Sequence, residues 1–129
     1  MTLVQLRRKQ KIGVKLSRHF VGTVITNNSR KLMDVEGCLS AVRDILSEHD
    51  VVVLGEVAHE FPNKSFTLLV GLAESHISIH TWPERLTVQL DVFLCNYVND
   101  NTAKCESIYD AIAEYFEPFE NNQTIIERP

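Results

Sequence analysis

An α+β sandwich of two layers is expected of this chain, an antiparallel β-sheet with two helices on one of its faces. Apolar residues recur at helical spacing in only two stretches, and β-rich runs divided by short turns make up most of the remainder. Several of those runs follow one another with no helix between them, as in an antiparallel sheet. The 129 residues suit a single domain, and 44% hydrophobic with 23% charged content is that of a globular protein. The expected order is β-α-β-β-β-β-α-β, without repeats or linkers, over 1–129.

Residues 14–25 alternate in part and are rich in β-formers, giving the first strand. Asn27-Asn28-Ser29 is turn chemistry. From there Val35, Leu39, Val42, Ile45 and Leu46 mark one face of a helix, with Asp34 as N-cap and an end near His49-Asp50. Gly37 inside it costs about 1 kcal/mol relative to alanine. Val51-Val52-Val53-Leu54 opens a second strand that runs to about Phe61, and Pro62-Asn63-Lys64 turns the chain. Phe66 to Ala73 reads as a buried strand and Ile77-Ser78-Ile79 as another. Trp82-Pro83-Glu84-Arg85 breaks the run before a further strand, Leu86 to Cys95. Asn99 to Thr102 is a loop and helix start, and Cys105, Ile108, Ile112 and Tyr115 or Phe116 form the second stripe, ended by Glu117-Pro118. Thr124 to Glu127 is a short last strand. One layer of helices covers one face of such a sheet, so a dimer stacked sheet to sheet would meet the need of the other.

Charge and cysteine usage narrow the partners. A net charge of -4, from 17 acidic and 13 basic residues, argues against nucleic acid and suits a cationic substrate. The basic cluster Arg7, Arg8, Lys9 and Lys11 lies in residues 1–12, expected to be a flexible tail; no apolar stretch follows it, so it is not a secretory signal. No run reaches the roughly 20 apolar residues that span a bilayer, so no membrane is expected. Cys38, Cys95 and Cys105 are odd in number and lack CxxC spacing, which favours a reducing cytoplasm. Cys38 and Cys105 fall near the apolar stripes of the helices and read as packing residues.

Residues 73–84, Ala-Glu-Ser-His-Ile-Ser-Ile-His-Thr-Trp-Pro-Glu, gather two acids, hydroxyls and two imidazoles around a strand core. Ordinary core strands do not concentrate that much titratable chemistry. By period-two alternation His76, Ser78 and His80 share one strand face. His76 and His80 with Cys95 or Glu84 would be the set to weigh for zinc, but no third and fourth ligand stands at a recognised spacing and no metal is expected. His76 reads as a structural or site-lining imidazole. Cys95 ends an apolar strand and by default is an inert thiol. Trp82 suits core packing or an interface.

The same segment closely resembles the self-cleavage site of the prokaryotic S-adenosylmethionine decarboxylases, which make a pyruvoyl cofactor from an internal serine. The likeness spans roughly residues 16–129. It implies cleavage of the Glu74–Ser75 bond, giving a β chain of 1–74 and an α chain of 75–129. Ser75 would attack the Glu74 carbonyl to form an ester; a base would then remove the Ser75 α-proton, and elimination and loss of ammonia would leave the pyruvoyl group. That group forms a Schiff base with a substrate amine and takes up electrons as CO2 leaves. By resemblance His80 is the processing base, Thr67 hydrogen-bonds the processing intermediate, and Cys95, within Leu90-Asp91-Val92-Phe93-Leu94-Cys95, protonates the decarboxylated carbon. Glu84 would hold the substrate ribose, and Phe61, otherwise a core residue, would stack on adenine. Arg18-His19 resembles the family's Gly-Arg-His segment, and Glu127-Arg128-Pro129 its Glu-Arg-Gly ending. Ser17, Ser65-Phe66 and Asn96 depart from the usual Gly, Gly-Val and Gly.

The resemblance thus implies a cytoplasmic homodimer of cleaved protomers with sites near the subunit interface. The substrate would be S-adenosylmethionine and the product the aminopropyl donor of spermidine synthesis, with or without an activator such as putrescine. An arginine or ornithine decarboxylase on the same fold is the alternative within that chemistry. A noncatalytic, unprocessed binding or regulatory subunit is the alternative outside it, though such a subunit has no need to keep Ser75, His80 and Cys95 together.

Overall fold

The structure, a computed structural model, describes residues 16–96 and 99–129. The expected basic tail lies outside them. Among the described residues the elements are β1 (Ser17–Thr26), α1 (Val35–Glu48), β2 (Val53–Glu60), β3 (Phe66–Leu72), β4 (Ser75–Trp82), β5 (Thr87–Leu94), α2 (Thr102–Tyr115) and β6 (Pro118–Arg128). Single 3-10 turns add Lys31–Met33 and Pro83–Arg85. The expected order is the one found. The strands form one sheet in the order β2-β3-β4-β5-β1-β6, and every neighbouring pair is antiparallel.

Local chemistry accounts for the boundaries. Asp34 caps α1 by accepting the Gly37 N–H at 2.9 Å, which satisfies one of the free donors of the first turn. Gly37 is a consequence of that cap: a Cβ there would come within 2.3 Å of the Asp34 carboxylate and displace it. The α1 chain reverses at Asp50 with a φ of 53°, and α2 ends at Glu117 with a φ of 54°. Lys64 (φ 73°) and Leu86 (φ 52°) turn the β2–β3 and β4–β5 connections.

Both helices lie on one face of the sheet. Val35, Cys38, Leu39, Val42 and Leu46 of α1, and Cys105, Ile108, Tyr109, Ile112 and Ala113 of α2, are buried against alternate residues of the strands. The core rows include Phe20 and Val24, Leu68 and Val70, Ile77 and Ile79, and Val88, Leu90 and Val92. Gly22 lets α2 close on β1, since a Cβ there would stand 1.6 Å from the Tyr109 hydroxyl.

Among the described residues no layer covers the opposite face. Its rows run across the strands in register. One is His59, Thr67, His80, Gln89 and Thr23; another is Gly71, His76, Phe93, His19 and Ile126. Period-two alternation therefore puts the chemistry-bearing residues of β4 on the face that the helices leave open.

One expectation needs correction. The last strand is not a short piece at 124–127 but spans Pro118–Arg128 and pairs with β1 along its length. Glu120 to Gln123 carry no apolar alternation. Their strand conformation comes from pairing at the sheet edge, where both faces are exposed.

Candidate active site

The expected cleavage site lies in the hairpin between β3 and β4. Leu72 pairs with Ser75, so the loop is only Ala73 and Glu74. Two-residue hairpins turn through positive φ, which glycine and asparagine adopt readily. Ala73 and Glu74 provide neither, and the positive φ falls instead on Ser75, at 151°. L-residues rarely occupy that region, and holding one there stores about 1–3 kcal/mol of strain. The Glu74–Ser75 bond thus sits at the strained corner of a tight turn.

Around it the chain supplies hydrogen-bonding groups. The Glu74 carbonyl oxygen accepts the Cys95 backbone N–H at 2.9 Å. The Ser75 hydroxyl lies 3.2 Å from Nδ1 of His76. Asn101, at the start of α2, donates its side-chain amide to the Glu74 carboxylate and to the Cys95 carbonyl oxygen at 2.9 Å. Its own N–H donates to Oδ1 of Asn96 at 2.6 Å. Asn101 is 2% exposed, so these bonds are shielded from competing water. Glu74, Ser75 and Cys95 are therefore brought together in one protomer, by the hairpin and the adjoining end of β5.

Thr67 and His80 form a second group. The Thr67 hydroxyl is 3.0 Å from Nδ1 of His80, and the two residues are cross-strand partners. Phe61 follows β2 at the same end of the sheet; it is 43% exposed, with its ring edge-on to His59 at 4.7 Å. Phe61 is therefore not a core residue. Glu84 is exposed in the turn after β4. Trp82 is no core residue either: it is exposed, and its indole N–H donates to Gln89 at 3.2 Å. Ser75 and His80 are five residues apart on one extended strand, a separation of about 16 Å at roughly 3.3 Å per residue. The sequence-expected residues thus divide into two sets at opposite ends of β4, and His80 is not beside the serine of its own chain.

The set weighed for zinc is not assembled, because His76 and His80 are joined by neither Cys95 nor Glu84. A different group does converge, since His19, His76 and Asp91 place ligand atoms within 4.8 Å of one another. Three donors leave it one short of a closed tetrahedral site. His19 packs edge-on against His76 at 5.7 Å between ring centroids, and its Nε2 is buried without a hydrogen bond. Burial lowers the His19 pKa, with Asp91 opposing and His76 and Arg128 adding to the shift. Arg128 stands over the Phe93 ring at 4.7 Å. The Arg18 segment and the Glu127-Arg128 segment, distant in sequence, are neighbours across β1 and β6.

The remaining thiols, Cys38 and Cys105, are buried in the packing of the helices, as expected. Burial pushes the Cys38 thiol up to about 12 and the Cys105 thiol up to about 11, and neither side chain reaches the hairpin. A surface recess lined by Asn27, Asn28, Glu117, Pro118 and Phe119 contains none of the site residues. Asn101 and the His76 contact were not visible in the sequence. The Asn101 bonds depend on loop ends meeting in space, where Asn99 to Thr102 read only as a helix start, and the His76 contact depends on the irregular backbone at Ser75.

Residues 18–129 match the model of a family described as S-adenosylmethionine decarboxylase. A proenzyme of that name from Archaeoglobus fulgidus is 29% identical over 113 residues, covering 88% of this chain and 97% of the relative. Another from Pyrobaculum arsenaticum is 32% identical over 101 residues, covering 78% of this chain and 81% of the relative. The crystal structure of the adenosylmethionine decarboxylase of Aquifex aeolicus superposes with a TM-score of 0.78 at 25% identity, over 88% of this chain and 91% of that one.

Proposed function

The chain belongs to the S-adenosylmethionine decarboxylase family, and we propose that it is made as a proenzyme that cuts itself between Glu74 and Ser75. It is an enzyme, a decarboxylase of that family. The observation that carries the self-cleavage is the hairpin corner, where a strained serine follows a carbonyl held by a backbone N–H.

The residues fit the chemistry of making a pyruvoyl group. Attack of the Ser75 hydroxyl on the Glu74 carbonyl develops negative charge on that oxygen. The Cys95 N–H, already 2.9 Å away, stabilises the charge as it forms. Collapse transfers the acyl group from nitrogen to oxygen and releases the strain at Ser75. A base then takes the Ser75 α-proton, and Glu74 leaves as the carboxylate end of the 1–74 chain. Asn101, bonded to both Glu74 and Cys95, holds the two sides of this junction in register. Once formed, the pyruvoyl carbonyl supplies an electron sink for the bond that loses CO2. Cys95 adjoins the cleavage point and is the proton donor to the decarboxylated carbon. The substrate is S-adenosylmethionine, with Phe61 against adenine and Glu84 on the ribose hydroxyls.

His80, Thr67, Phe61 and Glu84 lie too far from Ser75 of the same chain to serve it. Two copies stacked by their open sheet faces remove the difficulty. A two-fold axis lying between the sheets and running across the strands sets the Ser75 end of one β4 over the His80 end of the other. Stacked sheets pack about 10 Å apart, within reach of side chains from both. The open face is suited to this, since Val21, Ile25, Val57, Leu69, Phe93 and Ile126 lie among its polar residues. The active species is thus a homodimer of cleaved protomers in the cytoplasm, each site drawing its serine and cysteine from one chain and its histidine from the other. Among the described residues no helix is long and apolar enough to cross a membrane.

The intact mass of the purified protein under denaturing conditions tests this reading. Two fragments are expected, the larger ending at Glu74 and the smaller blocked at its N-terminus. A chain that stays whole on long incubation refutes self-processing. Release of CO2 from S-adenosylmethionine, and not from arginine or ornithine, tests the substrate.

A further inference from the structure

From the hairpin geometry we infer that His76 is the base that takes the Ser75 hydroxyl proton in the first step of self-cleavage, leaving His80 the later removal of the α-proton. The inference rests on the self-processing reading and assigns its first proton transfer.

Three observations carry it. Nδ1 of His76 stands 3.2 Å from the Ser75 hydroxyl oxygen, within reach of the proton to be moved. Among the described residues no other imidazole or carboxylate shares a hydrogen bond with that hydroxyl. His80 of the same chain is five residues along the strand, roughly 16 Å away, and in each copy its Nδ1 is engaged by Thr67 at 3.0 Å. Successive side chains of a regular strand point to opposite faces, which would part Ser75 from His76. The irregular backbone at Ser75, with its φ of 151°, lets them meet. The strained corner therefore does two things: it loads the scissile peptide, and it seats the hydroxyl against an imidazole.

The ring is also held in place. His19 packs edge-on against it at 5.7 Å, and Phe93, its cross-strand neighbour, is tilted beside it at 5.9 Å. Imidazole is the side chain suited to accept and return a proton near neutral pH.

The step balances without any outside reactant. The Ser75 O–H proton passes to Nδ1 of His76 as the oxygen–carbon bond to Glu74 forms. The carbonyl electron pair moves onto the Glu74 oxygen, facing the Cys95 N–H. As the carbonyl re-forms, the Glu74 carbon–Ser75 nitrogen bond breaks and the nitrogen takes the proton back from His76. The products are an ester and a free amine, with His76 restored. The α-proton, on a different atom, is left to the histidine of the other copy. Two imidazoles thus serve two successive proton transfers.

The test follows full-length wild-type, His76→Gln, His76→Ala, His80→Ala and Ser75→Ala chains by mass after synthesis, with and without hydroxylamine, which splits esters but not peptide bonds. Wild type should cleave. His76→Gln should slow cleavage at least about a hundredfold, the lower bound for losing a general base, and its intact chain should resist hydroxylamine because no ester has formed. His80→Ala should instead build up an intact-mass chain that hydroxylamine cuts at Glu74. Adding imidazole to His76→Ala chains should restore cleavage, which separates a missing base from a misfolded hairpin. Cleavage of His76→Gln at the wild-type rate, or an ester trapped in it, overturns the role of His76 while wild-type cleavage keeps the self-processing reading standing. Wild type that never cleaves overturns both.

Discussion

Ser17 and Asn96 stand where the family usually has glycine, and in the fold they meet. The Asn96 N–H donates to the Ser17 hydroxyl at 2.8 Å. Its side-chain amide donates to the Leu16 carbonyl at 3.0 Å and the Thr102 hydroxyl at 3.1 Å. The Asn96 side chain also accepts the Asn101 N–H, so both of its polar ends are satisfied and Asn101 is seated against Glu74. His19 is the residue whose protonation should matter to stability. Burial lowers its pKa below the ordinary 6.5, so below that pH the unfolded chain binds more protons than the native one. Stability from this source is full above about pH 6.5 and is lost as the pH falls. The melting temperature of wild type should accordingly drop more than that of His19→Gln between about pH 7.5 and 5. Equal drops in the two proteins would mean that His19 is not held neutral.

At the scale of elements the contact of α2 with β1 is the most sensitive. Strand glycines mark close approach, and at Gly22 an added Cβ would lie 1.6 Å from the Tyr109 hydroxyl oxygen and 2.7 Å from Cζ of the ring. Gly22→Ala should therefore push the helix outward and cost about 1–3 kcal/mol, as overpacking does. The loss would appear as a lower denaturation midpoint. Adding Tyr109→Phe should recover only part of it, because the ring carbon still intrudes and the bond from Tyr109 to Asn121 at 2.9 Å is gone. The elements themselves were largely legible: α1 announced its cap at Asp34 and its stripe, and the strands announced themselves by alternation. What sequence could not give was conformation imposed by a neighbour. Residues 118–123 are a strand because β1 lies beside them, and Ser75 has its φ because Leu72 pairs with it across two residues. The motif residues Ser75, His80 and Cys95 could be picked out by their resemblance to the family's motif. Asn101 and the engagement of His76 could not, since neither has a local pattern.

For the whole molecule the decisive fact is that β4 is too straight to bring its two ends together. Ser75 and His80 lie near the two ends of one eight-residue strand, and an extended strand cannot fold back on itself. A mechanism needing both at one point requires either a large rearrangement or a second copy. The core argues against rearrangement: Ile77 and Ile79, between the two residues, are 1% and 0% exposed under the helices. Tearing β4 from that packing would cost several kcal/mol of apolar burial. A second copy costs the fold nothing and covers the open face. Complementation between two dead chains distinguishes the two. A Ser75→Ala chain keeps Thr67 and His80 but has no nucleophile, and a His80→Ala chain keeps Ser75 but lacks the second base. Produced separately, neither should yield cleaved fragments. Co-produced with different tags, they should form mixed dimers in which the His80→Ala chain, served by the other copy's histidine, is cut at Glu74 while the Ser75→Ala chain remains whole. If sites were completed within one chain, mixing would change nothing and both would stay intact.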